Sequence, residues 1–240
     1  EPNQELAFAG GHLFALDYLW DKQSAKTSND YQAIWKMSFP DGNNIYMNLW
    51  MKGYEGREVF SIKAPSCKAF RSNNDFPYEV NKEPYLTIAA RQYGEAWSHP
   101  FVSIYEPTTE KGGKSIESIT SFDAENAVSS DFVGVKVLNK SGRVDYIFSS
   151  VNEEKVIYQN KEVNGTYSVI SEEGENFTLF LGNGTLLKAK GFVIESKEKT
   201  NVTLQYQEGE YYLVAESPVS ITRLGKEIKV NKTAWKKIKL

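Results

Sequence analysis

The sequence predicts an all-β protein: a large antiparallel two-layer sandwich followed by a small antiparallel β unit. Three observations predict it. Apolar and polar residues alternate with period two in many short runs, the pattern of strands with one buried face. Turn dipeptides recur at roughly the 8–12 residue spacing of sandwiches. Phe, Tyr and Trp make up 13% of the chain, and β-branched residues are common, as half-buried pleated surfaces require. About sixteen strand-like segments can be traced, with no amphipathic helical pattern of about ten residues or more.

The elements follow in order. Segments 31–39 and 44–51 flank Asp41-Gly42, a dipeptide that favours the positive φ of tight hairpins. In the first, Tyr31, Ala33, Trp35, Met37 and Phe39 share a side. In the second, Ile45, Met47, Leu49 and Met51 face one way and Tyr46, Asn48 and Trp50 the other. Residues 85–107 read as a further hairpin closed by Gly94-Glu95-Ala96. Asn164-Gly165 and Asn183-Gly184 sit between alternating runs and predict two more tight turns. In 201–206, Val202, Leu204 and Tyr206 alternate with Thr203 and Gln205. Four of the five tryptophans precede residue 100, and after about residue 160 strands shorten and turns multiply. The expected division is a large sandwich over 1–160 and a small unit over 161–240 packed on it.

Composition excludes several functions. The 240 residues carry 28 basic and 31 acidic side chains, a net charge of −3, and segment 161–240 holds 12 basic against 10 acidic. That is not the basic excess of a nucleic-acid binder, and it argues against a broad electrostatic groove for a highly sulfated polyanion. Cys67 is the one cysteine, so neither an internal disulfide nor a cysteine zinc site can form. His12 and His99 are the two histidines, too few for a three-histidine metal centre. No metal and no cofactor are expected. No apolar run reaches about 18 residues, so no membrane span is expected. Glu1 to Glu5 are polar, with no apolar stretch of a signal peptide. No serine-nucleophile elbow, phosphate loop or dinucleotide fingerprint occurs. Six Asn-x-Ser/Thr sequons, at Asn139, Asn164, Asn176, Asn183, Asn201 and Asn231, coincide in part with turns.

The segment richest in chemistry is 85–107. A loop at 94–96 would pair Tyr93 with Trp97 and Arg91 with His99, then Ala89 with Phe101 and Thr87 with Ser103. The reverse face, Leu86, Ile88, Ala90, Val102 and Ile104, is expected to be core. Arg91, Tyr93, Trp97 and His99 would then form a carbohydrate-contact surface. Aromatic rings cover the apolar faces of sugars, a guanidinium grips a uronate or sulfate in two-pronged fashion, and an imidazole holds or moves a proton near neutral pH. The competing reading is an amphipathic second layer packed under another segment. Tyr46, Asn48 and Trp50 form a second such stripe, for which a covered face is the stronger reading. His12, with Asp17, Asp21 and Asp30, could hold a metal, but no spacing demands it.

Tyr85-Leu-Thr-Ile-Ala-Ala-Arg91, Pro100-Phe-Val-Ser-Ile-Tyr-Glu-Pro107, Leu49-Trp50-Met51 and Gly56-Arg57-Glu58-Val59-Phe60 resemble the central sandwich of heparinase II/III-like polysaccharide lyases. Residues 180–195 and 201–223 are similar to the small β unit that closes those chains. The resemblance implies a periplasmic or secreted protein of glycan breakdown, acting on an acidic polysaccharide or oligosaccharide by β-elimination. It implies an N-terminal helical toroid as partner domain, which supplies much of the catalytic machinery and is not in these residues. Family members can bind zinc through sandwich histidines near Gly11-His12 and Asn29-Asp30-Tyr31, but His12 and Asp17 alone do not complete such a site. The expected role is one wall of a uronate-containing glycan cleft, without β-elimination by this chain alone; the alternative is a free-standing carbohydrate-binding or structural scaffold protein.

Overall fold

The computed structural model describes residues 19–64, 84–127, 131–151 and 154–240. The chain is all-β and every strand pairing is antiparallel. It forms two compact units, Glu1–Lys111 and Gly112–Leu240.

In the first unit, one three-stranded sheet has the order β1 (Trp20–Lys26), β4 (Arg57–Ala64), β5 (Tyr85–Gln92). The other has the order β2 (Tyr31–Met37), β3 (Ile45–Met51), β6 (Ser103–Thr109). The β2–β3 hairpin forms in the expected register, Tyr31 opposite Met51 and Met37 opposite Ile45. Its connection uses Gly42 at φ +78°, and the Asp41 carboxylate accepts the Asn43 backbone N–H at 3.0 Å. The Trp35 indole N–H donates to the Leu86 carbonyl on β5 at 2.9 Å, so the Trp35 face of one sheet looks at the other sheet. Leu49 and Met51 lie on that face and are 3% and 8% exposed. Trp50, on the opposite face, is 4% exposed, so β3 is covered on both sides at this end. Gly53 follows. A Cβ there would lie 2.2 Å from the Asn29 carbonyl oxygen, so no other residue lets the two loops approach.

The second unit is one eleven-stranded sheet. Its strands are β7 (Ile116–Phe122), β8 (Phe132–Asn139), β9 (Val144–Ser150), β10 (Val156–Tyr158), β11 (Lys161–Glu173), β12 (Asn176–Ala189), β13 (Phe192–Gln207), β14 (Glu210–Ala215), β15 (Val219–Arg223), β16 (Lys226–Val230) and β17 (Thr233–Ile238). β9 pairs with β11 over Tyr167–Glu172, so the boundary expected near residue 160 falls inside a continuous sheet. The chain parts instead at the exposed Lys111–Lys114 turn.

β11, β12 and β13 are long because each serves two layers. The Val202–Gln207 end of β13 pairs with β14, and its Phe192–Glu195 end pairs with β15. Between the layers the register shifts at Asn164/Gly165 and on both sides of Gly184. Gly165 stands opposite Gly184, and a Cβ on Gly184 would lie 2.3 Å from the Asn164 carbonyl oxygen. Asn164-Gly165 and Asn183-Gly184 are therefore bulges inside strands, where the sheet bends, and not the hairpin turns that their composition suggests. The hairpin turns lie at Lys190-Gly191, Glu208-Gly209 and Leu224-Gly225, where both residues have positive φ, the type I′ geometry that matches strand twist.

The fold of the sheet upon itself buries a single core. Ile170, Leu179, Leu204 and Leu213 from one layer and Leu187, Ile194 and Ile221 from the other are 0–1% exposed. Each such side chain contributes on the order of 2 kcal/mol of transfer free energy. Phe177 and Phe192 meet across the layers at a ring separation of 5.3 Å.

Candidate functional site

The 85–107 hairpin does not form. β5 pairs with β4 along its whole length, Arg57 opposite Gln92 and Ala64 opposite Tyr85, and Tyr93 N–H extends the ladder to the Gly56 carbonyl at 3.1 Å. β6 pairs with β3 in the other sheet, Trp50 opposite Ile104. Between them Gly94 takes φ +80°, Ala96–Ser98 make a 3-10 turn, and Pro100 offers no ladder donor. Leu86, expected in the core, is 64% exposed on the edge strand β5.

The four predicted contact residues are thus divided. Arg91 and Tyr93 both serve Glu58, which faces Arg91 across the β4–β5 ladder. Arg91 Nη2 donates to Glu58 Oε2 at 2.8 Å and also to the Tyr93 hydroxyl, and that hydroxyl donates to the same carboxylate oxygen at 2.7 Å. The guanidinium also lies 5.0 Å from the Phe60 ring centroid and 4.7 Å from that of Tyr93. The Arg91 bond above all, then those of Tyr93 and Ser24, pulls the Glu58 carboxyl down to about 2. In return the Glu58 bond raises the Tyr93 phenol above its ordinary value. Part of the Arg91 fork is therefore spent internally, although its side chain remains 56% exposed.

Trp97 rides on the 3-10 turn and is 80% exposed, an open aromatic platform. His99 Nδ1 lies 2.8 Å from Ser98 Oγ and 3.2 Å from the Glu95 carbonyl oxygen. A proton on Nδ1 satisfies that carbonyl and leaves Nε2 as the basic nitrogen. The imidazole meets Tyr54 edge-on at 5.3 Å. Behind Tyr54 lies Arg57, fully buried between the Tyr54 and Phe101 rings at 5.0 and 4.3 Å. Arg57 donates to Gln92 Oε1 and to the His99 carbonyl, both at 2.9 Å, and its Nη1 has no partner among the described residues. Burial lowers its pKa. This guanidinium fixes the backbone of the loop that carries His99. Sequence reasoning missed Tyr54 and Arg57 as partners of His99; the signal was Gly53-Tyr54-Glu55-Gly56-Arg57, two glycines three apart that mark a tight turn carrying Tyr54 and leading into Arg57.

The second stripe is covered at Asn48 and Trp50 and half-buried at Tyr46. Tyr46 donates to Glu110 at 2.8 Å, Asn48 donates to the Glu106 carbonyl at 3.1 Å, and Trp50 is buried. Of the residues weighed as metal ligands, Asp21 is paired with Lys63 at 2.5 Å and Asp30 accepts the Gly53 N–H at 3.0 Å. His12, Asp17 and Cys67 lie outside the described residues. In the second unit, Lys161 is 5% exposed, with its ammonium 4.0 Å from the Tyr146 ring centroid and 3.8 Å from Glu172. Burial lowers the Lys161 pKa and raises that of Tyr146. Asn139 is buried and donates to Asp145 at 3.1 Å, so that sequon is structural.

The region from β7 to the end of the Tyr206 ladder is the part that comparison recognises. Residues 116–206 match the endo-acting ulvan lyase C-terminal domain family. A curated endo-acting ulvan lyase of Formosa agariphila is 29% identical over 169 residues. The alignment takes in 67% of this chain and 19% of that protein, so the chain spans about a fifth of the relative's length. The likeness is thus to the C-terminal domain of a polysaccharide lyase, the broad class that the sequence resemblance implied. Among the described residues, no helix is long and apolar enough to cross a membrane.

Proposed function

We propose that this chain is the C-terminal β region of an acidic-polysaccharide lyase of heparinase II/III-like architecture, with ulvan or a similar uronate glycan as substrate. The observation that carries the reading is the match of 116–206 to a lyase C-terminal domain. In this reading the first unit forms one wall of the cleft. Trp97 stacks on a sugar ring, and the half-exposed Arg91, oriented by Glu58, reaches a uronate carboxylate. His99, with Nδ1 held by the Glu95 carbonyl, lies beside Tyr54 where a proton can be accepted. The second wall and much of the machinery belong to an N-terminal helical toroid, so this chain alone does not catalyse elimination. A periplasmic or secreted location goes with such a substrate.

The test is the ultraviolet absorbance of the unsaturated uronate product, followed with ulvan for this chain and for a longer native chain that includes the toroid. The longer chain is expected to eliminate and this chain not. Calorimetry with uronate oligosaccharides is expected to give micromolar-to-millimolar binding, weakened roughly tenfold by Trp97→Ala. Elimination by this chain alone, abolished by His99→Ala, would overturn the division of labour. Absence of elimination in the longer chain would overturn the lyase reading. One observation favours a scaffold as the second reading: Arg91 and Tyr93 are both committed to Glu58.

A further inference from the structure

Charge averaged over 161–240 conceals its distribution. The last fifteen residues, 226–240, hold Lys226, Lys229, Lys232, Lys236, Lys237 and Lys239 against one acid, Glu227. Topology gathers them. β14 and β15 flank opposite ends of β13, β17 pairs with β14, and β16 pairs with β15. β16 and β17 are thus the outermost strands of the two layers on the same side of the unit. Of the six lysines, Lys237 is held by Glu210 at 2.6 Å, and the other five make no ion pair among the described residues.

An aromatic platform lies on the same edge. Trp235 is 51% exposed and stacks on Tyr212 with ring planes 4° apart and centroids at 5.8 Å. Two residues of β17, Ala234 and Trp235, oppose one of β14 between the Leu213–Lys236 and Ala215–Thr233 pairs. That bulge re-aims the indole. Tyr212 stands opposite Gln205, and Gln205 opposite Thr178, so a row of amide and hydroxyl groups leads inward across the sheet face. The row enters a groove of about 240 Å³ that Glu172 and Glu173 also line. Arg143 lines the groove as well, so the groove is mixed in charge and anionic groups of a ligand are favoured at the lysine edge.

We propose that the β16–β17 edge and the Trp235–Tyr212 platform form an anionic-glycan-binding surface of the second unit. A sugar ring lies on Trp235, hydroxyls reach Gln205 and Thr178, and carboxylate or sulfate groups meet the free lysines. The occupant follows from charge and stacking together: a neutral glycan leaves the lysines unused, and a non-saccharide polyanion leaves the indole unused. This inference rests on the acidic-glycan reading above and adds to it a second point of attachment.

The test uses the whole chain with oligogalacturonate, inorganic polyphosphate and dextran of matched length, followed by calorimetry at low and high salt. Trp235→Ala is expected to weaken oligogalacturonate binding roughly fivefold while leaving inorganic polyphosphate, which has no sugar ring, nearly unchanged. A Lys236→Gln, Lys239→Gln double variant is expected to weaken binding of both charged probes at low salt and to flatten the salt dependence. Unchanged melting temperatures will show that these exposed substitutions leave the fold intact. Oligogalacturonate affinity that ignores both variants and falls only with Trp97→Ala would overturn this surface and leave the lyase reading standing. A lyase reading refuted by the elimination assay would leave a Trp235 effect on binding intact. Equal binding of dextran, or no binding of oligogalacturonate, would overturn the proposal.

Discussion

Arg57 is fully buried and Arg91 has a half-exposed side chain, although the strands that carry them are hydrogen-bonded neighbours. Alternation puts one on each face of β4–β5, and the two faces use a guanidinium differently. Arg57 ties the His99 loop to the sheet through backbone carbonyls. Removing it opens a cavity and leaves acceptors unpaired, so Arg57→Ala is expected to cost about 3 kcal/mol in urea unfolding. Arg91→Ala should cost less, because Arg91 is the half-exposed, solvent-screened member of its pair and the covered Glu58 carboxylate keeps its Tyr93 bond. Its effect should also depend on pH. The Glu58 carboxyl falls from 4.5 to about 2 in the folded chain, so between those values the unfolded state binds more protons. The stabilisation is complete above about pH 4.5 and is lost as pH falls toward about 2. A difference between wild type and Arg91→Ala at pH 6 that persists undiminished at pH 2 would contradict the assignment.

At the level of elements, the three long strands of the second unit depend on two facing glycines. Gly184→Ala would drive a methyl group into the Asn164 carbonyl, and backbone cannot move aside as a side-chain tip can. The variant is expected to lose about 3 kcal/mol or more, or to fail to fold. Gly174→Ala, at φ +59° with nothing within 4 Å, is the control and should cost about 1 kcal/mol. Thermal melts of the two variants decide it, and equal melting temperatures would remove the claim that Gly184 shapes the bend. These glycines also mark where sequence reading failed. Asn-Gly between alternating runs looks the same in a hairpin as in a bulge, although the hairpin uses glycine for its positive φ and these bulges use it for the missing Cβ. The actual I′ turns, Lys190-Gly191, Glu208-Gly209 and Leu224-Gly225, place a residue with no special preference for positive φ at the first position. The β2–β3 hairpin was legible because all its information is local.

For the whole molecule, the all-β class and the antiparallel pairing were legible from period two and aromatic content. Which strands pair was not. β5 and β6 are consecutive yet belong to different sheets, a choice made by β3 and β4 from elsewhere in the chain. The expected grouping failed for that reason: the hairpin that would have set Arg91, Tyr93, Trp97 and His99 on one face does not form. The division into units was misplaced because composition changes near 160 while the ladder does not. Limited trypsin digestion is expected to cut first at Lys111 or Lys114, both exposed, and to release a piece beginning near 112 that keeps its β circular dichroism. A first cut near 160 would contradict this. Since β11, β12 and β13 each thread both layers, no smaller module can be excised from that half. Anyone grafting it onto another protein must carry all of 112–240, and the Lys111–Lys114 turn is the seam at which to splice.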